Sequence, residues 1–215
     1  MGLKVVDQYD QTRSFPAGSG NNRPLQTLIW YPAIKSMNKP MTVGDYVALA
    51  DTEIHFDAPD ERQNKWRARF QAVFPIPLWA VRDAVPSDGQ YPVVIYAPSD
   101  SATAWENADL CEYLASHGYV VLASPSMGVS TRDMTDDVEG INAEARDISF
   151  LIAYAAALPH ADVSKVAVVS WSWGGISSLF AAARDPHILA LAELDGSMRY
   201  FPASCRKPAM CIRIK

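Results

Sequence analysis

Residues 170–175 read Ser-Trp-Ser-Trp-Gly-Gly and follow directly on the apolar run Val166-Ala167-Val168-Val169. A short β-branched run, a cluster of small residues and a helical pattern from Ile176 predict strand, very tight turn and helix in immediate succession. Such a turn lifts one hydroxyl, that of Ser172, out of the backbone at the carboxyl end of a buried strand. A serine there is reachable by a base on one side and by a substrate carbonyl on the other. Small residues are required two positions to each side, where side chains would collide with the neighbouring strand and helix. Ser170 and Gly174 fill those positions, and Gly175 follows. Ser170 fails the same test as nucleophile, because Val168 would occupy its first small position. The competing reading is an ordinary strand-to-helix turn with incidental serines; the flanking strand and helix favour Ser172 as nucleophile.

The rest of the chain reads as alternating strands and helices, the pattern of a mostly parallel sheet with helices on both faces. Lys4–Gln8 and Leu25–Tyr31 are the opening strands, joined through a Pro/Gly/Asn-rich turn at 16–24. Tyr91–Ala97 and Tyr119–Ala123 are continuous apolar runs, as strands covered on both faces require. Between them Trp105–Ser116 reads as an amphipathic helix stopped by Gly118. A longer helix spans about Asp136 to Leu158, with Ile141, Ala145, Ile148, Ile152 and Ala155 at three- and four-residue steps. Val166–Ser170, Leu189–Leu194 and Pro208–Ile214 complete the strands, and Ile176–Arg184 is the helix after the serine turn. Residues 36–88 break the alternation and read as an insertion between the second and third strands of a single 215-residue domain.

Composition narrows the partners. A net charge of −5 leaves no basic footprint for nucleic acid. No apolar stretch approaches the ~20 residues of a membrane span. The opening Met-Gly-Leu-Lys-Val-Val-Asp lacks the apolar core of a signal peptide, which points to the cytoplasm, or to a secreted or periplasmic protein if a signal has been removed. Cys111, Cys205 and Cys211 are odd in number and lack metal-ligand spacing, so they read as free thiols.

The segments YPVVIYAPSDSA, LASHGYVVLASPS, VAVVSWSWGGISSLFAA and ALAELDGSMRYFP resemble the α/β-hydrolase superfamily, in the expected order over roughly residues 91–202. Within it they resemble the dienelactone-hydrolase-like and platelet-activating-factor-acetylhydrolase-like esterases. The resemblance implies a three-layer sandwich and a catalytic aspartate after the strand that follows the nucleophile helix. Here that residue is Asp195, at the end of Leu189–Leu194; Glu193, two residues earlier, is the weaker substitute. An oxyanion hole needs two backbone N–H groups. One is that of Trp173, at the helix N-terminus. The resemblance assigns the other to Asp100, although Pro98-Ser99-Asp100-Ser101 stands where the family usually has a His-Gly pair.

The base is the missing member. In this superfamily the histidine comes last, after the final strand, yet the last of the four histidines here is His187. His117, His160 and His187 each precede a strand, which puts them at the opposite sheet edge. His55 alone is topologically free, in the insertion. The chain also stops one residue after the strand at Pro208–Ile214, so the family's last strand, histidine loop and closing helix are expected to be absent. The leading expectation is serine-dependent hydrolysis of a small or short-acyl ester through an acyl-enzyme at Ser172, impaired for want of a base. The other is a non-catalytic protein that binds ligands or partners. Triad chemistry implies no metal or organic cofactor. Aromatic residues of the insertion (Trp66, Phe70, Phe74, Trp79) would either line an acyl pocket or anchor the insertion, and an exposed sheet edge would favour self-association.

Overall fold

A computed structural model describes residues 1–17, 21–56 and 67–197. It contains a seven-stranded sheet with the order β3-β1-β2-β5-β4-β6-β7. The strands are β1 (Gly2–Ser14), β2 (Asn22–Tyr31), β3 (Val81–Arg82), β4 (Tyr91–Ala97), β5 (Val120–Ala123), β6 (Ala161–Trp171) and β7 (Ile188–Leu194). β2 pairs antiparallel with both β1 and β5; the remaining pairings are parallel. Four helices accompany them: α1 (Val43–Leu49), α2 (Ala108–Ser116), α3 (Val138–Ala155) and α4 (Trp173–Ala182).

The strands explain the two core clusters. Alternate residues of β4 and β5 point to opposite faces, and both faces are apolar because both are covered. Val93, Ile95, Val120 and Leu122 pack with Ile141, Ile148 and Ile152 of α3 and with Ile176 and Phe180 of α4. Val94, Tyr96, Val121 and Ala123 pack on the other side with Cys111 and Ala115 of α2 and Tyr46 of α1. These are the three layers of an α/β sandwich. The α3 face follows the expected periodicity, with Ile141, Ala145, Ile148, Ile152 and Ala155 all buried.

Several boundaries differ from expectation for identifiable reasons. β1 is longer than Lys4–Gln8 because it pairs with β2 from Gly2 opposite Tyr31 to Asp10 opposite Arg23 and, after an irregularity, again at Ser14 opposite Asn22. Backbone pairing, not apolar content, sets its ends. α2 begins at Ala108 rather than Trp105, because residues 103–108 form successive turns closed by Glu106 N–H to Thr103 O and Ala108 N–H to Trp105 O. The segment 36–88 holds α1, opened by a Thr42–Asp45 capping box, and the short strand β3 against β1. The expected strand Pro208–Ile214, together with Cys205, Cys211 and Trp66, lies outside the described residues.

A buried ion pair ties this face of the sheet to α3. Arg23 is 1% exposed, and its Nε and Nη2 meet Asp147 Oδ1 and Oδ2 at 2.7 and 2.5 Å. Arg23 also donates to the carbonyls of Gly128 and Met127, and Arg13 bridges Asp147 to Asp10. Cys111 is a free buried thiol whose pKa burial raises. Among the described residues no helix is long and apolar enough to cross a membrane, and no group of three His, Cys, Asp or Glu residues could hold a metal ion.

Candidate active site

Ser172 stands between β6 and α4 with φ 50° and ψ −114°. A non-glycine residue is strained there by on the order of 1–3 kcal/mol, so its surroundings must hold it. They do so through the backbone. Ser172 N–H donates to Leu194 O, while Ser172 O accepts from the N–H groups of Gly175 and Ser197, each at 3.0 Å. The glycines are needed for close approach. A Cβ on Gly174 would collide with the carbonyl oxygens of Ala97 and Pro98, the latter at 2.5 Å. A Cβ on Gly175 would lie 2.8 Å from Gly196 Cα. The first turn of α4 is therefore pressed against the end of β4 on one side and the end of β7 on the other.

That contact sets the first turn of α4 beside Ala97 and Pro98, where the loop bearing Asp100 begins. The first N–H groups of a helix have no intrahelical acceptor and carry its positive dipole end. Neither Trp173 N–H nor Asp100 N–H has an acceptor among the described residues. The loop bearing Asp100 is heavily braced. Glu106 accepts from Ser99 N–H at 2.9 Å, from Tyr96 Oη at 3.1 Å and from the Ser99 hydroxyl. Ser101, at φ 54°, donates to Asp100 Oδ1 at 2.6 Å and accepts from Met134 N–H. Arg132 donates to the carbonyls of Ser101, Ala102 and Ser126 and pairs with buried Glu53 at 2.7 Å. Burial pushes the Glu53 carboxyl up to about 6, against the pull of Arg132.

Glu53, Ser101, Glu106 and Arg132 were not foreseen from the sequence. Glu53 and Arg132 are 79 residues apart and match no spacing motif.

Asp195 follows β7 at φ 52°, exposed, one residue beyond the carbonyl that holds Ser172 N–H. Its carboxylate has no hydrogen-bond partner among the described residues. Glu193 is the more enclosed acid: its Oε2 lies where a Cβ on Gly196 would be 2.5 Å away, and burial raises its pKa. The histidines fall elsewhere. His117 caps α2 and packs on Tyr113 at 4.1 Å. The ring of His160 lies 3.2 Å from Gly89 O ahead of β6, and His187 pairs with Asp185 at 2.7 Å ahead of β7. His55 lies between Ile54, which packs with Phe15 and Met127, and Phe56, whose ring meets Tyr9. Among the described residues the group bonded to the Ser172 hydroxyl is Ser197 Oγ, at 3.3 Å.

A cavity of about 550 Å³ opens beside the braced loop, lined by Phe70, Asp100, Trp105, Arg132 and Asp133 among others. Among the insertion's described aromatics, Phe70 alone lines it. Phe74 packs on Gly44 of α1, and Trp79 is 64% exposed. Trp105, expected inside a helix, joins the wall because the chain turns there before α2 begins.

On α4, Ser177 donates to buried Glu144 at 2.7 Å. Burial pushes the Glu144 carboxyl from 4.5 up to about 8. The folded state therefore keeps a proton that the unfolded chain loses near pH 4.5, and stability declines as pH rises from about 4.5 through about 8. Glu144→Gln keeps the acceptor for Ser177 without the ionisation. Thermal melts should show it raising the midpoint at pH 8 by roughly 5 °C and much less at pH 4.5. An equal shift at both pH values would contradict the assignment.

The family profile described as Chlorophyllase matches residues 60–194. A ferulic acid esterase from Streptomyces cinnamoneus is similar in structure, with TM-score 0.66 and 22% identity over 87% of this chain and 56% of its own. The α/β hydrolase GrgF from Penicillium sp. sh18 is similar at TM-score 0.54 and 12% identity, over 91% of this chain and 46% of its own. The chain spans about half the length of these two proteins, and at such identities the likeness establishes the fold. No curated protein sequence is significantly similar to the chain.

Proposed function

Because the chain belongs to the chlorophyllase family of α/β hydrolases, we propose that it reacts with carboxylic esters through an acyl-enzyme at Ser172. The observation that carries this reading is the strained Ser172 turn, held by three backbone hydrogen bonds beside an N–H without an acceptor at Trp173. Ser172 Oγ attacks the ester carbonyl carbon as its hydroxyl proton passes to water, and the carbonyl electron pair moves onto its oxygen. Trp173 and Asp100 N–H groups receive that charge. Collapse of the intermediate breaks the bond to the alcohol, whose oxygen takes a proton from water, and a second water then hydrolyses the acyl-serine. Asp195 is the acid of the site, with Glu193 as its neighbour.

The cavity at Phe70 and Trp105 holds one arm of a small or short-acyl ester. Its Asp100 and Asp133 carboxylates disfavour anionic substrates, since Arg132 is already paired with Glu53. Turnover by these 215 residues is slow. His117, His160 and His187 lie away from the turn, and loss of a triad base costs on the order of 10⁶ in turnover. The alternative is a binding protein, favoured by the hydroxyl rather than imidazole neighbour of Ser172. Retention of a strained turn supports the enzyme reading.

Hydrolysis of p-nitrophenyl acetate decides between them. The expected result is slow release of nitrophenol above the buffer rate, lost in Ser172→Ala. Release at the buffer rate throughout would contradict the esterase reading.

A further inference from the structure

Ser197 stands out among the groups around Ser172. Its hydroxyl lies 3.3 Å from Ser172 Oγ, its N–H donates to Ser172 O at 3.0 Å, and it is 8% exposed. Its position is fixed by the chain around it. Gly196 and Gly175 are pressed together, since a Cβ on Gly175 would lie 2.8 Å from Gly196 Cα. The backbone bond to Ser172 O and this close approach set Ser197 beside Ser172.

A hydroxyl is too weak a base to take the Ser172 proton at neutral pH, so Ser197 does not substitute for histidine. It can donate. At 3.3 Å the bond is long for O–H···O, whose usual separation is about 2.7–2.8 Å. Such contacts tighten as charge develops on the acceptor, because a bond to an anionic oxygen is shorter and stronger.

We propose that Ser197 is a positioning residue: it donates a hydrogen bond to Ser172 Oγ, which holds the nucleophile's rotamer and stabilises the negative charge that grows on it. This rests on the reading of Ser172 as nucleophile.

The test is the rate of labelling by a fluorophosphonate probe as a function of pH. Ser172 Oγ forms a bond to phosphorus, the P–F bond breaks, fluoride leaves, and the hydroxyl proton passes to solvent. Ser197→Ala should slow labelling roughly tenfold, the worth of one hydrogen bond of about 1.4 kcal/mol, and move the pH of half-maximal labelling upward. Ser197→Thr, which restores the donor, should recover most of the rate. Should Ser197→Ala lower the thermal midpoint, Ser197→Cys keeps the volume with a weak donor, and slow labelling is again expected.

Wild-type rate and pH profile in Ser197→Ala would overturn the role of Ser197 while leaving Ser172 as nucleophile. Equal slowing in the Ala and Thr variants, with lowered thermal midpoints, would reduce Ser197 to a structural residue. Absence of labelling in the wild-type chain would overturn the reading of Ser172 and this role together.

Discussion

Ser172→Ala should abolish covalent labelling by a fluorophosphonate completely and remove whatever ester cleavage the chain shows above the buffer rate. The other serines near the turn cannot take over. Ser170 is fully buried. Ser177 donates to Glu144, and Ser178 donates to Gly174 O at 2.6 Å. Ser197 remains, but its backbone N–H is engaged by Ser172 O. The substitution leaves the backbone bonds of residue 172 in place, and alanine meets the same left-handed strain as serine. The thermal midpoint should consequently stay close to that of the unsubstituted chain, and a loss of reaction with retained folding reports chemistry. Labelling that persists in Ser172→Ala would place the nucleophile elsewhere.

Asp147→Ala should lower the unfolding free energy by about 3–5 kcal/mol, read from the midpoint of chemical denaturation at unchanged slope. Asp147 is the carboxylate of a nearly dry pair with Arg23, and both side chains are at most 3% exposed. Without it the Arg23 guanidinium stays buried with the carbonyls of Gly128 and Met127 and the face of the Phe15 ring, none of them carrying a charge to match it. Arg13 loses one of its two carboxylates as well. The cost is that of an uncompensated buried charge, not the worth of the pair. A double change of Arg23→Met with Asp147→Leu should accordingly destabilise less than Asp147→Ala alone. A loss below about 1 kcal/mol in the single variant would mean that water reaches Arg23.

The parts of this molecule that could be read from the sequence are those whose cause is local. The serine turn is legible because a strained strand-to-helix turn demands small residues at fixed offsets, and Gly174 meets that demand against Ala97 and Pro98. The apolar runs of β4 and β5 and the face of α3 announce burial through their own periodicity. Asp195 was placed through resemblance and the end of an apolar run, and the turn there does bring it beside the backbone of Ser172. The bracing of the Asp100 loop could not be read. Arg132 reaches Glu53, Ser101 and Ser126 across three separate segments, and each residue alone looks like an ordinary surface charge or hydroxyl. The exposure of Trp79, left open between lining a pocket and anchoring the insertion, was illegible for a related reason: an aromatic side chain in an irregular segment has no periodicity to say which way it faces. Ser197 carried no signal either, since its contact with Ser172 depends on how two turns pack rather than on any motif.

The central claim is that the chemistry of this chain starts at the Ser172 hydroxyl. Mass mapping of the protein after reaction with a fluorophosphonate tests it most directly. The account predicts a single adduct on the peptide containing Ser172, formed in stoichiometric amount and absent after denaturation before labelling. An adduct on another residue of the folded protein, or none, would contradict it.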